Sequence, residues 1–416
     1  MNEIGGRAGG RGTGRRPEPR VKGLSDPRNS SIDEAMSGAA MRFTVLDSWR
    51  GLCALWVAVF HFRIFSHFGD VQLFRHGPLA VEFFFVLSGF VLTSAYGDRL
   101  GGFGERIRFL IRRVGRLYPL HLATLLAVLG METARWFISS RVGHPVGGPL
   151  FTGATDMRAF LPNVLLIHGW GMLPDFTWNV PSWSISVEFL LCLLFVLVSF
   201  SPRKLPALVA MTLLGFLGFL YTRYALPQEE TTTAVARGVY AFFLGCLVQY
   251  AYRWWRGSGR KFWGWLEWLA IPLVLTAPMV DNLPLPTIMF ALMIFIFAFE
   301  SGFLSRLLDR PSMRFLGEIS YSIYLVHYLL VLGVFALAAL LGRVVDVAGT
   351  PWMNGSSLWI GDLATVGYLG AVVGVSALSF RFIEAPGRAW FNRMSNKVTH
   401  GRRPAAPGPE RREPRP

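Results

Sequence analysis

The feature that most constrains this 416-residue chain is a series of ten apolar stretches. A helix rises about 1.5 Å per residue, so about 20 apolar residues cross a hydrocarbon layer about 30 Å thick. The stretches lie at residues 49–67, 78–97, 118–138, 181–200, 205–224, 234–253, 262–280, 285–303, 317–341 and 359–380. With 52% hydrophobic and 16% charged residues, the chain is too apolar for a soluble protein. We predict an all-α, polytopic integral membrane protein with about ten transmembrane helices in one bundle.

Lysine and arginine predict the orientation of this bundle. If the N-terminus is cytoplasmic, ten spans place 32 of the 41 basic residues on the cytoplasmic side and four in the opposite loops. Cytoplasmic loops carry such an excess. We therefore expect both termini in the cytoplasm. The formal net charge of +15 then reflects topology, and no nucleic-acid partner is expected.

The two ends of the chain differ from the rest in composition. Residues 1–41 and 392–416 are rich in glycine, proline and arginine, with few apolar residues. Such segments bury too little apolar surface to fold, so we expect two disordered basic tails around a membrane domain at 42–391. No apolar segment precedes the first span as a cleavable signal peptide would, so that span should direct insertion. The three cysteines all lie in apolar stretches and suggest neither a disulfide framework nor a metal site.

The first span holds two ionisable residues, Arg50 and His61, eleven positions apart. A helix turns about 100° per residue, so both lie on one face, about 16 Å apart. Arg50 then lies near a membrane surface, and His61 lies near mid-membrane, where an ionisable group is costly and usually functional. Taken alone, the pair is equally consistent with a histidine in a helix-packing contact and an arginine reaching the interface.

Other spans bring polar side chains to a similar depth. Glu188 and His327 lie about 10 and 15 Å from the ends of their spans, near the level of His61. Glu82 should lie nearer the outer face, and Ser184 lies at the turn into the fourth span. We expect a polar core, although Glu82 and His327 fit interhelical hydrogen-bonding roles equally well.

Three arginines, Arg112, Arg113 and Arg116, lie at the cytoplasmic entrance of the third span, on the side of Arg50. Guanidinium groups bind phosphates, as a nucleotide-like donor requires. At mid-membrane, a neutral imidazole near a carboxylate suits a general base that deprotonates an alcohol. Together they fit a phosphate-bearing acyl donor. Positive-inside anchoring is the alternative for the arginines, and for Arg112 the better one.

In this order along the chain, the motifs resemble those of membrane acyltransferase family 3, which includes bacterial O-antigen and other cell-surface polysaccharide acetylases. The resemblance runs from about Arg42 to Phe391. It rests on Arg50 and His61 and on VEFFFVLSGFVL, RRVGRLYP, PSWSISVEF, GEISYSIYLVH and FRFIEAPGR. It implies a ten-helix enzyme of the bacterial cytoplasmic membrane. Such an enzyme moves an acyl group, most simply acetyl, from cytoplasmic acyl-CoA to a hydroxyl of a glycan, a lipid-linked sugar or a secondary metabolite.

The resemblance also implies roles for individual residues. Arg50 and His61 match the hallmark pair of the family, Arg113 and Arg116 its R-x-x-R motif, and Glu188 its acidic residue after the serines. We predict His61 and Glu188 to be catalytic and the three arginines to bind acyl-CoA, with no permanently bound cofactor and no metal.

The chain departs from the family pattern in two respects. Glu82 stands where many members have aspartate. Only a short basic tail follows the tenth span, where some polysaccharide acetylases carry an SGNH hydrolase-like domain. We therefore expect direct acylation of the acceptor or hand-over to a separate protein. The alternative function is a transporter or flippase of a glycolipid or acylated precursor, with the polar core as the substrate path.

Overall fold

The structure is a computed structural model that describes residues 42–144, 149–226, 230–257, 260–281 and 283–400. The predicted N-terminal tail at 1–41 lies outside the described residues, as do residues 401–416 of the predicted C-terminal tail.

Helices dominate the described residues. The α-helices are α1 Thr44–His61, α2 His67–Asp70, α3 Gln72–Arg75, α4 Leu79–Tyr96, α5 Phe103–Val142, α6 Phe160–Val164, α7 Trp183–Val198, α8 Lys204–Ala225, α9 Glu230–Trp255, α10 Arg260–Leu266, α11 Ala270–Thr276, α12 Leu285–Phe297, α13 Phe303–Leu308, α14 Pro311–Glu318, α15 Ser320–Leu340, α16 Leu358–Ser379 and α17 Ala385–His400. Short 3₁₀ turns lie at Gly153–Thr155, Met157–Ala159, Val180–Ser182, Glu267–Leu269 and Ala277–Val280, and a π-helical turn lies at Phe380–Glu384. An antiparallel hairpin consists of β1 Val344–Val347 and β2 Thr350–Met353.

Eight segments among the described residues are long and apolar enough to cross a bilayer, and each matches one of the ten predicted spans. The fold is that of an all-α polytopic membrane protein, as predicted. The predictions at 49–67 and 285–303 correspond to α1 and α12, which are not among the eight. Asp47 and Arg50 lower the hydropathy of α1, and α12 has only 13 residues.

The first helix ends earlier than the sequence predicts. Instead of continuing to residue 67, α1 ends at His61, and the chain then pairs with the hairpin. The N–H of Phe65 donates to the carbonyl oxygen of Met353 at 3.1 Å, and the N–H of Met353 donates to that of Arg63 at 2.9 Å. His61 therefore lies at a helix terminus, where the backbone turns toward β2.

The interior of the bundle contains close helix crossings. At the crossing of α4 and α9, a Cβ on Gly89 would overlap the carbonyl oxygen of Phe242, and a Cβ on Gly245 would overlap that of Val86. Small residues that let backbones touch favour helix association in lipid. Buried aromatic side chains surround this crossing, including Phe83, Phe85, Phe90 and Phe243.

The longest helix, α5, has 40 residues and contains Pro119. At about 1.5 Å per residue it extends about 60 Å, so it carries both the arginine motif and the predicted third span. Its N-terminal half packs on α17, where Arg112 donates to Ser395 Oγ at 3.1 Å and to Asn396 Oδ1 at 3.0 Å. The predicted tail boundary at 391 is therefore placed too early. The chain stays helical to His400 because α5 supplies partners for residues that composition alone marks as a tail.

Candidate active site

His61 is held by groups from two helices. Its Nδ1 lies 2.9 Å from the carbonyl oxygen of Val57, one turn earlier in α1, and 3.3 Å from Nε2 of His327 in α15. The two imidazole centroids are 5.0 Å apart. His327 is fully buried, and its own Nδ1 lies 3.1 Å from the carbonyl oxygen of Ile323. The structure thus brings together two residues that the sequence placed at one depth.

These contacts assign the tautomers of both rings. A carbonyl oxygen only accepts hydrogen bonds, so we place a proton on Nδ1 of both His61 and His327. In the neutral state, Nε2 of His327 then accepts from the Nδ1–H of His61. Nε2 of His61 carries a lone pair and has no hydrogen-bond partner among the described residues. A neutral imidazole held in this way can act as a general base through Nε2.

A tyrosine of α16 supports the same junction. The hydroxyl of Tyr368 lies 3.2 Å from the carbonyl oxygen of His327 and 3.3 Å from that of Ala58. Its ring stacks on Phe62 with the centroids 4.1 Å apart. Tyr368 therefore joins α1, α15 and α16 next to His61.

Arg50, near the other end of α1, is engaged within the protein. Its guanidinium donates to Ser320 Oγ at 2.8 Å and to the Gly317 carbonyl oxygen at 2.9 Å, and it lies 3.1 Å from the Asp47 carboxylate. A Cβ on Gly51 or Gly317 would overlap the backbone of the facing helix. The two glycines therefore let α1 approach α14 closely enough for Arg50 to reach the start of α15.

An arginine cluster, defined as Arg113, Arg116 and Arg388, lies on α5 and α17. Arg116 and Arg388 form no hydrogen bond or ion pair with any residue that the structure describes, and Arg113 lies 5.7 Å from the centroid of the Phe109 ring. The charges of Arg113 and Arg116 act on Arg388. One carboxylate, Glu384, interacts with Arg116, Arg388 and the nearby Arg50. The cluster therefore keeps a net positive charge.

Glu188 has a different partner from the predicted one. Its Oε1 accepts from Ser88 Oγ at 3.2 Å, and its charge acts on Arg50. Within the described part of the chain, no hydrogen bond or ion pair joins Glu188 to His61. The structure gives His61 a partner in His327 instead, and the catalytic role of Glu188 stays a prediction.

The remaining residues of the predicted polar core connect helices. Glu82 lies 3.2 Å from Arg237 of α9 and accepts a hydrogen bond from Thr287 of α12. Ser184 Oγ lies 2.7 Å from the hydroxyl of Tyr324 in α15. Neither Glu82 nor Ser184 contacts His61 through a described hydrogen bond, and both bridge neighbouring parts of the bundle.

Sequence reasoning assigned no role to Arg388, Glu384 or Tyr368. The first two lie in the motif FRFIEAPGR, where the π-helical turn precedes α17. Such turns often occur at functional sites. Two charges in an otherwise apolar closing motif were the available signal, but only the packing of α17 on α5 shows that they meet Arg116.

Comparison with known proteins identifies the family. A family profile described as an acyltransferase domain matches residues 43–381, most of the chain. The chain belongs to membrane acyltransferase family 3. The match contains His61, His327, Arg50 and the R-x-x-R motif of this acyltransferase, whereas Arg388 lies just beyond it.

Two curated proteins resemble parts of this acyltransferase. Acyltransferase MdmB of Streptomyces mycarofaciens is 32% identical over 182 residues, covering 41% of this chain and 43% of MdmB. Protein 2 in the picA locus of Rhizobium radiobacter is 40% identical over 111 residues, covering 22% of this chain and 51% of that protein. The chain thus spans about half the length of the curated relatives it matches. No solved structure matches the chain.

Proposed function

We propose that this membrane acyltransferase moves an acyl group, most simply acetyl, from acyl-CoA to a hydroxyl of a glycan, lipid-linked sugar or small metabolite. The observation that carries the proposal is the geometry at His61: its Nδ1 is fixed by Val57 and His327, which leaves Nε2 as a base. Arg50 lies eleven residues earlier in the same helix, about 16 Å away, beside the arginine cluster. The two ends supply a base and a phosphate site on one bundle.

The reaction balances with His61 as the only proton carrier. Nε2 removes the proton of the acceptor hydroxyl as its oxygen attacks the thioester carbonyl carbon. The C–S bond then breaks, and the thiolate of CoA leaves and takes the proton from Nε2. While Nε2 is protonated, His327 accepts a hydrogen bond from Nδ1–H of the imidazolium and stabilises the charge. The products are an ester and free CoA.

The donor's phosphates belong at the arginine cluster. Arg116 and Arg388 are free of protein partners, and guanidinium groups bind phosphates through paired N–H donors. Arg50 is already bonded to Ser320 and Gly317, so we assign it to positioning α1 and reserve direct phosphate contacts for the cluster. The pantetheine arm then runs from the cluster toward His61.

The basic loops support a cytoplasmic position for the arginine cluster, where acyl-CoA is made. Of 41 basic residues, 32 fall on that side in the ten-span arrangement. The His61 end then faces the opposite side of a bacterial cytoplasmic membrane. This arrangement suits an acceptor that reaches the enzyme from outside or on a lipid carrier.

Mass spectrometry of envelope glycans, lipids and extracted metabolites tests the proposal. Cells carry the wild type, His61→Ala or no protein. We expect one product, heavier than its precursor by one acyl group, only with the wild type. Gel filtration and membrane yield of His61→Ala control for folding. Equal acylation by His61→Ala excludes this mechanism. Unchanged acylation with a redistributed precursor indicates transport instead.

A further inference from the structure

A cavity of about 290 Å³ lies beside His61, between the end of α1, the loop after it and the β1–β2 hairpin. Phe60 lines the cavity, and its ring centroid is 4.8 Å from that of His61. Trp352 of β2 forms part of the opposite wall. One liquid water occupies about 30 Å³, so the cavity has the volume of roughly ten waters and admits a group the size of one sugar ring.

The charges in this cavity are all positive. Its lining residues include Arg63 and Arg75 and no carboxylate. Arg75 is neutralised by Asp70 at 2.9 Å and donates to the Gly69 carbonyl oxygen at 2.7 Å. The side chain of Arg63 is half-buried and forms no hydrogen bond or ion pair with any described residue. A partly desolvated guanidinium without a counter-ion favours binding of an anion.

We propose that this cavity binds the acyl acceptor through an anionic group, a carboxylate or phosphate, held by Arg63. The inference rests on the proposed function and names its acceptor class: a hydroxyl compound, such as an acidic or phosphate-linked sugar, that carries a negative charge. The anionic group pairs with Arg63 while a hydroxyl of the same molecule reaches Nε2 of His61.

The distance between the two groups suits one small acceptor. Arg63 follows His61 by two residues, so their Cα atoms are at most about 7 Å apart. Aromatic side chains, among them Phe60 and Trp352, line the space between and offer faces on which the C–H side of a sugar ring can pack. Ligand sites commonly combine such apolar walls with few polar anchors.

Binding of radiolabelled glucose 1-phosphate, glucuronate and glucose to the full-length protein tests this inference without requiring acyl transfer. The protein is held in phosphatidylcholine nanodiscs with saturating CoA, which occupies the arginine cluster. We expect at least one of the two anionic sugars to bind the wild type about tenfold or more tightly than glucose, the effect of one charge-assisted hydrogen bond. Arg63→Gln should remove this preference.

The matched control is Arg343→Gln. Arg343 lies next to the same hairpin but donates to Ser356 Oγ at 2.6 Å, and it does not line the cavity. Its variant should bind the anionic sugars as the wild type does. The inference is overturned if the wild type shows no preference for either anionic sugar, or if Arg63→Gln and Arg343→Gln behave alike.

Two further arms separate the remaining explanations. If added phosphatidylglycerol displaces the anionic sugars from the wild type, the ligand of Arg63 is a lipid headgroup and the acceptor assignment is wrong. If the acylated product found by mass spectrometry is neutral, the inference also fails although acyl transfer stands. If no His61-dependent acylation is found, the proposed function itself fails, whatever the binding assay shows.

Discussion

At the scale of single residues, the chemistry depends on which nitrogen of His61 carries the proton. A histidine alone can hold either tautomer, but the Val57 carbonyl oxygen and His327 Nε2 both face Nδ1. His327 is in turn fixed by the Ile323 carbonyl oxygen. The pair resembles other base-and-orienter arrangements in which a second group holds an imidazole for proton transfer.

Replacing His327 tests this orienting role. His327→Leu removes the acceptor for Nδ1–H of His61, so we expect kcat to fall by about tenfold to a hundredfold, with KM for acyl-CoA unchanged. His327→Gln offers an amide oxygen as acceptor and should restore much of kcat. Steady-state kinetics of acetyl transfer measure both. Equal losses in the two variants would indicate a packing role only.

Replacing arginines of the cluster tests donor binding. Arg116→Gln and Arg388→Gln should each raise KM for acyl-CoA about tenfold while kcat changes little, because they remove a phosphate contact but no proton transfer. Arg112→Gln removes the same charge from the same helix, but Arg112 is bonded to Ser395 and Asn396. An equal KM increase in Arg112→Gln would mean that net charge, not direct contact, matters.

At the scale of elements, the site depends on how closely α1 approaches α14. Asp47 and Gly51 face Gly317 with backbone in contact, which sets the position of Arg50 and, three turns later, of His61. A helix transmits such a shift because its rise and twist are fixed. The contact at Gly317 thus positions the base at the far end of α1.

Adding one methyl group at this contact tests the idea. Gly317→Ala overlaps the Asp47 carbonyl, so we expect a loss of about 1–3 kcal/mol in stability, typical of overpacking, and lower activity. Gly333→Ala in α15 is the control, since a Cβ there meets nothing within 4 Å. Thermal unfolding in detergent should show a lower Tm for Gly317→Ala only. Unchanged Tm in both would place the helices farther apart.

At the scale of the whole molecule, the two ends of α1 should face opposite sides of the membrane. Cys53, Cys192 and Cys246 are all buried, so the wild type should react little with maleimides. In intact cells, an impermeant maleimide should label Val345→Cys in the hairpin. It should label Ser312→Cys in α14 only after permeabilisation. The reverse pattern would invert the predicted orientation.

The sequence by itself determined the membrane class, eight of the spans, and the presence of an arginine motif and a histidine on one chain. These follow from local hydropathy and helix geometry, which need no knowledge of neighbouring helices. It also placed His61 and His327 at one depth, but depth does not fix contact. The first helix was predicted six residues too long because composition does not record pairing with β2.

Only the tertiary structure decided the partners. His61 meets His327 across 266 positions of chain, and Arg50 meets Ser320 across 270. Arg388 joins Arg116 because α17 packs on α5, and Arg63 faces a cavity because the hairpin folds over the end of α1. Contacts between residues so far apart depend on how helices cross, and hydropathy carries no information about which face of one helix meets which face of another.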